Sequence, residues 1–75
     1  MKELLESIVR LLVNDPDSVR VEEVEGERST TLKLYVAQDD MGRVIGKEGR
    51  IAKSLRILMK AASRNESKPV YIYIV

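Results

Sequence analysis

The residues best suited to act on a ligand are Gly46-Lys47-Glu48-Gly49, followed directly by Arg50, Ile51, Ala52 and Lys53. Glycine at both ends lets the chain reverse sharply, and the missing side chains let another backbone come close. A helical pattern starts at Arg50, so free N–H groups and the positive end of a helix dipole point at the turn. Lys47 inside the turn and Arg50 just past it add charge. Together these groups suit a phosphate. Glu48 is the awkward member, because a carboxylate beside a phosphate is repulsive. It is expected to face solvent or to favour the following helix as an early-turn acid, and to weaken binding compared with a doubly basic loop.

Other chemistries lack their residues. The 75-residue chain has no cysteine and no histidine, which excludes disulfides, Cys/His zinc sites and Ser-His or Cys-His catalytic pairs. Its acidic residues show no paired arrangement for acid–base catalysis, so no enzyme and no cofactor is expected. A nucleotide-binding Walker loop fails on spacing. Three residues stand between Gly42 and Gly46 where four are required, and Glu48 stands where Ser or Thr would hold magnesium.

The formal net charge of +1 hides a division. Residues 1–40 carry five Lys/Arg against ten Asp/Glu, and residues 41–75 carry eight against two. A nearly neutral chain can therefore present one positive face to a polyanion. Size gives a second bound, since a domain this small buries only about 60% of its unfolded surface and gains from a partner. The N-terminal stretch is interrupted by Glu3, Glu6 and Arg10. It reads as an amphipathic helix rather than a signal peptide or membrane span, which implies no membrane and a cytoplasmic protein.

The elements that must position the turn follow from periodicity. Lys2 to Val13 repeats Leu4, Leu5, Ile8, Val9, Leu11 and Leu12 at helical spacing, and Pro16 stops it. Val19 to Val24 alternates, Glu25 to Ser29 is a hairpin loop, and Thr30 to Ala37 alternates with Leu32, Leu34 and Val36 inward. Asp39-Asp40 offers an N-cap for a short helix, Met41 to Ile45. After the turn, Arg50 to about Arg64 forms the longest helix, with Ile51, Leu55, Leu58, Met59 and Ala62 facing the sheet and Asn65 as a left-handed stop. Pro69 to Val75 is the last strand. Two helices between the second and third strands form a crossover that sets those strands parallel. The expectation is a single α+β domain over residues 1–75, in the order α-β-β-α-α-β, with a three-stranded mixed sheet and three helices on one face.

The turn and its flanks, Val44-Ile45-Gly46-x-x-Gly49 with Ile51 one position early, resemble the GxxG signature of KH domains, and the element order is that of the type II, or prokaryotic, KH fold. In that family the loop clamps the backbone of about four nucleotides. The resemblance covers the whole chain and extends to the KhpA family of small bacterial KH proteins. It implies binding of single-stranded RNA and a role as RNA chaperone or post-transcriptional regulator. It also implies assembly as a homodimer or a heterodimer with a KhpB (Jag) family protein.

Carried onto this chain, the RNA site comprises Arg43, Val44, Ile45, Gly46, Lys47, Glu48, Gly49, Arg50, Ile51 and Lys53. Val44, Ile45 and Ile51 fit either the core or an apolar floor under the bases. Arg56 continues the basic stripe, while Lys60 and Arg64 lie several turns along and read as solvated. Tyr35, Tyr71 and Tyr73 project from the sheet face opposite the helices, a packing or partner surface that can also stack bases. Ile57 and Ala61, off the core face of the long helix, suit a dimer contact. An alternative of a different class also fits: a protein-interaction module whose dimer surface matters more than its RNA groove.

Overall fold

The computed structural model describes residues 1–75. Helix α1 spans Lys2–Leu12, strands β1 and β2 span Arg20–Glu25 and Thr30–Tyr35, helix α2 is Met41–Ile45, helix α3 is Arg50–Ala62, and strand β3 is Val70–Ile74. The sheet order is β1-β2-β3. β1 pairs antiparallel with β2, and β2 pairs parallel with β3, with Leu32 opposite Ile72 and Leu34 opposite Ile74. This is the expected α+β architecture with a mixed sheet, consistent with a type II KH fold. No helix is long and apolar enough to cross a membrane.

β2 occupies the centre because both its neighbours need it. β1 closes onto it through a tight hairpin in which the Gly26 N–H donates to the Ser29 carbonyl at 2.8 Å. β3 returns beside it through the α2–α3 crossover. The inward side chains of the central strand are accordingly the most protected, with Leu32 and Leu34 fully buried. Around them the core gathers Leu5 and Val9 of α1, Val19 and Val21, Val44 of α2, Leu55 and Met59 of α3, and Ile72. Burying ten such side chains, at roughly 1.5–3 kcal/mol each before entropy is counted, is the main force holding helices to sheet.

Three local expectations change. The apolar stripe of α1 is narrower than its composition implies, since Leu4 and Leu11 are exposed while Leu5 and Val9 are fully buried. One helix lying on a sheet covers only one side, and the adjacent leucines fall outside that arc. α3 is rotated in the same sense. Ala52, Leu55, Met59 and Ser63 form its buried line, leaving Leu58 and Ala62 exposed and Ile51 half-buried. α3 also ends at Ala62, and Asn65 does not take up a left-handed conformation. The end is closed instead by Ser63, whose N–H donates to the Met59 carbonyl at 2.9 Å and whose hydroxyl donates to the Lys60 carbonyl at 3.1 Å.

The loop from α3 to β3 is tied down at its far end. Lys68 Nζ donates to the Gly26 carbonyl at 2.7 Å and pairs with Glu25 at 3.1 Å, joining this loop to the β1–β2 hairpin.

Candidate nucleic-acid interface

The turn between α2 and α3 is built from three residues of positive φ. Gly46 stands at φ 76°, ψ 174° and Gly49 at φ 74°, ψ 15°. Between them Glu48 is the one non-glycine residue with positive φ, at φ 57°, ψ 25°. The first of these conformations belongs almost wholly to glycine, and the left-handed region costs an L-residue about 1–2 kcal/mol. Nothing in local propensity marks Glu48 for this role. The closure demanded by α2 and α3 packing on the same core imposes it.

This geometry decides what the turn offers. The Gly46 N–H donates to the Gly42 carbonyl at 2.8 Å, the Gly49 N–H to the Gly46 carbonyl at 3.2 Å, and the Arg50 N–H to the Lys47 carbonyl. Those three donors are taken up inside the turn. Among residues 46–50, at most the N–H groups of Lys47 and Glu48 are left for a ligand. Lys47 is exposed and makes no ion pair, so its ammonium is free beside them. Lys53, one turn into α3, is likewise exposed and unpaired.

The remaining residues of the expected site divide by environment. Arg50 reaches Glu48 at 3.8 Å, but both side chains are mostly exposed, so the pair is loose and screened. The carboxylate therefore faces solvent and the neighbouring guanidinium rather than the helix end. Ile45 is partly exposed at 38%, and Ile51 is half-buried beneath Gly46, which makes these two the apolar surface next to the turn. Val44 is fully buried and anchors α2 in the core.

Arg43 is held. Its Nε lies 3.6 Å from Asp40 Oδ1. In the amide orientation its neighbours require, the Asn14 side-chain oxygen accepts from Arg43 Nε at 3.2 Å and Nη2 at 3.0 Å.

Asp40 is the residue that sequence reasoning assigned incorrectly. It occupies the N-cap position of α2 but makes no capping bond from its side chain. Its carboxylate turns away and accepts the backbone N–H groups of Asn14 and Asp15, each at 3.0 Å. Asp40 is 2% exposed, so this is an interior bracket joining the segment after α1 to the helix that leads into the turn. The physical reason lies in a 3-10 turn over Gln38–Asp40 that runs into α2 and leaves Asp40 in a helical conformation, φ −96°, ψ −5°, unsuited to capping. The only sequence signal was an acid placed before a short helix.

The open face of the sheet carries Tyr71 and Tyr73, both more than half exposed. Tyr35 on the same face is covered by Arg20, whose guanidinium sits 4.4 Å from the ring centroid, a cation–π contact that competes with base stacking there.

Comparison with known proteins bears on this arrangement. No solved structure matches the chain. Sequence relatives are close, however. The chain is 55% identical to the RNA-binding protein KhpA of Clostridium acetobutylicum and 52% identical to that of Clostridium perfringens, over the full length of both chains in each case. It is 48% identical to the RNA-binding protein KhpA of Caldanaerobacter subterraneus subsp. tengcongensis, again over both full lengths. The family model described as KhpA/KhpB, KH domain, matches residues 2–74. A mixed sheet in this order, a two-glycine turn between α2 and α3, and a match spanning nearly every residue converge, and the chain belongs to the KhpA/KhpB family of KH domains.

Proposed function

We propose that this chain is a single KH domain that binds single-stranded RNA through the Gly46–Gly49 turn. It is not an enzyme, in keeping with relatives named as RNA-binding proteins. The observation that carries the reading is the exposed, unpaired Lys47 between two glycines of positive φ at the start of α3. Lys47 and the free N–H groups of the turn hold phosphate, and the α3 dipole favours the same charge. Arg50 and Lys53 add attraction, Ile45 and Ile51 give the bases an apolar floor, and Arg43 holds α2 in place through Asp40 and Asn14. About four nucleotides fit such a clamp.

A site this small gives weak, loosely specific binding, so useful affinity requires a second domain. We assign that to a homodimer or to a partner of the KhpB type, in a cytoplasmic RNA chaperone or post-transcriptional regulator. Ile57 and its neighbour Leu58 on α3, at 69% and 52% exposure, supply adjacent apolar area for such a partner surface. The same observation favours the second reading, a protein-interaction module whose dimer surface outweighs its RNA groove.

Fluorescence anisotropy with a pool of short single-stranded RNAs tests the proposal. With two to four phosphates neutralised, log K falls against log salt with a slope of about −1.5 to −3. Lys47→Asp abolishes binding while the fold is retained. Equal binding by both proteins removes the turn from the site. No binding by either, together with a stable dimer in size exclusion, favours the interaction module.

A further inference from the structure

The chain has three tyrosines and neither phenylalanine nor tryptophan, and its core is built from leucine, valine, isoleucine and methionine without a single ring. All three tyrosines stand on the sheet face turned away from the helices. Leu32, Leu34 and Ile72 point into the core, so the alternation of each strand sends Tyr35, Tyr71 and Tyr73 to the other side. A ring is the largest apolar group a small domain can bury, yet Tyr71 and Tyr73 are 58% and 59% exposed. Strand propensity favours tyrosine at such positions, but it is indifferent to what stands beside the rings. Their neighbours decide what they suit.

The register places Tyr71 opposite Thr31, Tyr73 opposite Lys33, and Tyr35 opposite Arg20. Lys33 is half-buried on the central strand and makes no ion pair, so its ammonium is free beside Tyr73. Arg20 is kept on the same face by its contact with the Tyr35 ring, 4.4 Å from the centroid. Glu22, across from Lys33 on β1, is the one acid among the strand residues of this face and confines an anion to the β2–β3 half. Tyr71 and Tyr73 lie two residues apart, about 6.6 Å along the strand, which is about twice the 3.4 Å rise of stacked bases. Two successive bases therefore part from each other, and each covers its own ring. Their phosphates then run beside Lys33 and Arg20. A single strand supplies ring faces and negative charge at one spacing, which is the combination this face answers.

We infer that the open face of the sheet is a second RNA site, a platform on which unpaired bases stack against Tyr71 and Tyr73 while Lys33 and Arg20 meet the phosphates. The ligand class rests on the RNA-binding reading above, but the location does not depend on the turn. The turn belongs to the helix layer and the platform to the far side of the sheet, so the two take different segments of strand. Two stacked bases and two cations bind weakly, in the range seen at the concentrations of nuclear magnetic resonance rather than those of anisotropy.

Because every aromatic ring of the chain is on this face, its ring-proton resonances report the platform and nothing else. The test titrates the intact chain with an octamer of alternating adenosine and cytidine, which cannot pair with itself, and with an abasic strand of the same length. The Tyr71 and Tyr73 ring signals are expected to move upfield with the octamer and to stay in place with the abasic strand, while the Lys47 and Glu48 amides respond to both. Lys47→Asp leaves the ring shifts intact although the turn is disabled, and Lys33→Gln weakens them by up to about fivefold in apparent affinity. Rings that stay in place while the turn amides move overturn the inference and leave the turn standing. Silence of both overturns the RNA-binding reading as well. Ring shifts that the abasic strand reproduces, or that vanish in Lys47→Asp, also overturn it, by showing a charge effect or a change transmitted from the turn. So do ring signals that change on dilution without RNA and ignore the octamer, which would mark a contact between copies. Ring shifts with no response at the turn keep the platform and remove the turn.

Discussion

Ile51 packs against Gly46 so closely that a Cβ on that glycine would fall 2.6 Å from Ile51 Cγ1 and 2.9 Å from its Cβ. The glycine is required twice over, by this contact and by its own φ and ψ. Gly46→Ala is expected to cost about 2–4 kcal/mol, combining a glycine-only backbone with an overpacked contact. Urea denaturation measures the loss, and an unchanged midpoint would show that the turn relaxes freely.

Gly42 is the counterpart. It lies inside α2 with nothing within 4 Å of where a side chain would begin. Gly42→Ala should stabilise the domain by about 0.5–1 kcal/mol, because alanine has less freedom to lose on folding. The same denaturation experiment checks it, with the opposite sign.

Asp40→Ala removes the acceptor of two backbone N–H groups and the partner of Arg43 at a site almost closed to water. The expected cost is about 2–4 kcal/mol, since both donors become unsatisfied. Asp40→Asn keeps one acceptor oxygen and should lose about half as much. Any RNA binding that survives in the folded Asn variant is expected to be weaker, because α2 then carries the turn less rigidly. A melting curve and an anisotropy titration on the same sample separate the two effects.

Glu48→Gln removes a negative charge from the middle of the turn and releases Arg50 from its loose pair. Affinity for short RNA should rise by up to about fivefold, the range that an exposed charge interaction commands. Stability should move by less than about 0.5 kcal/mol, because the residue stays exposed and its left-handed backbone is unchanged. A fall in affinity would mean that the carboxylate orients Arg50 toward the ligand.

Much of this protein is legible from residue order alone. The alternation of Leu32 and Leu34 marks the central strand, because side chains on a strand face opposite sides with a period of two. The two-helix insertion between β2 and β3 requires a crossover, and a crossover makes those strands parallel. Gly46, Lys47 and Gly49 identify the turn through their types and spacing, which are local properties.

Tertiary structure decided what depends on residues distant in the chain. Which arc of α1 and α3 is buried follows from how each helix lies on the sheet, so Ala52 went inward and Leu11 and Leu58 did not. Asp40 found its acceptor role 25 and 26 residues away, a choice invisible to capping rules that look only at the next helical turn. Glu48 took a left-handed backbone because two helices fixed on one core left no other closure. Arg56 and Lys60 are ordinary exposed cations on a helical wheel, and with Arg64 just past the end of α3 they line a groove only because β3 and its loop return beside them. Periodicity reports the face a residue belongs to, and only packing determines what that face meets.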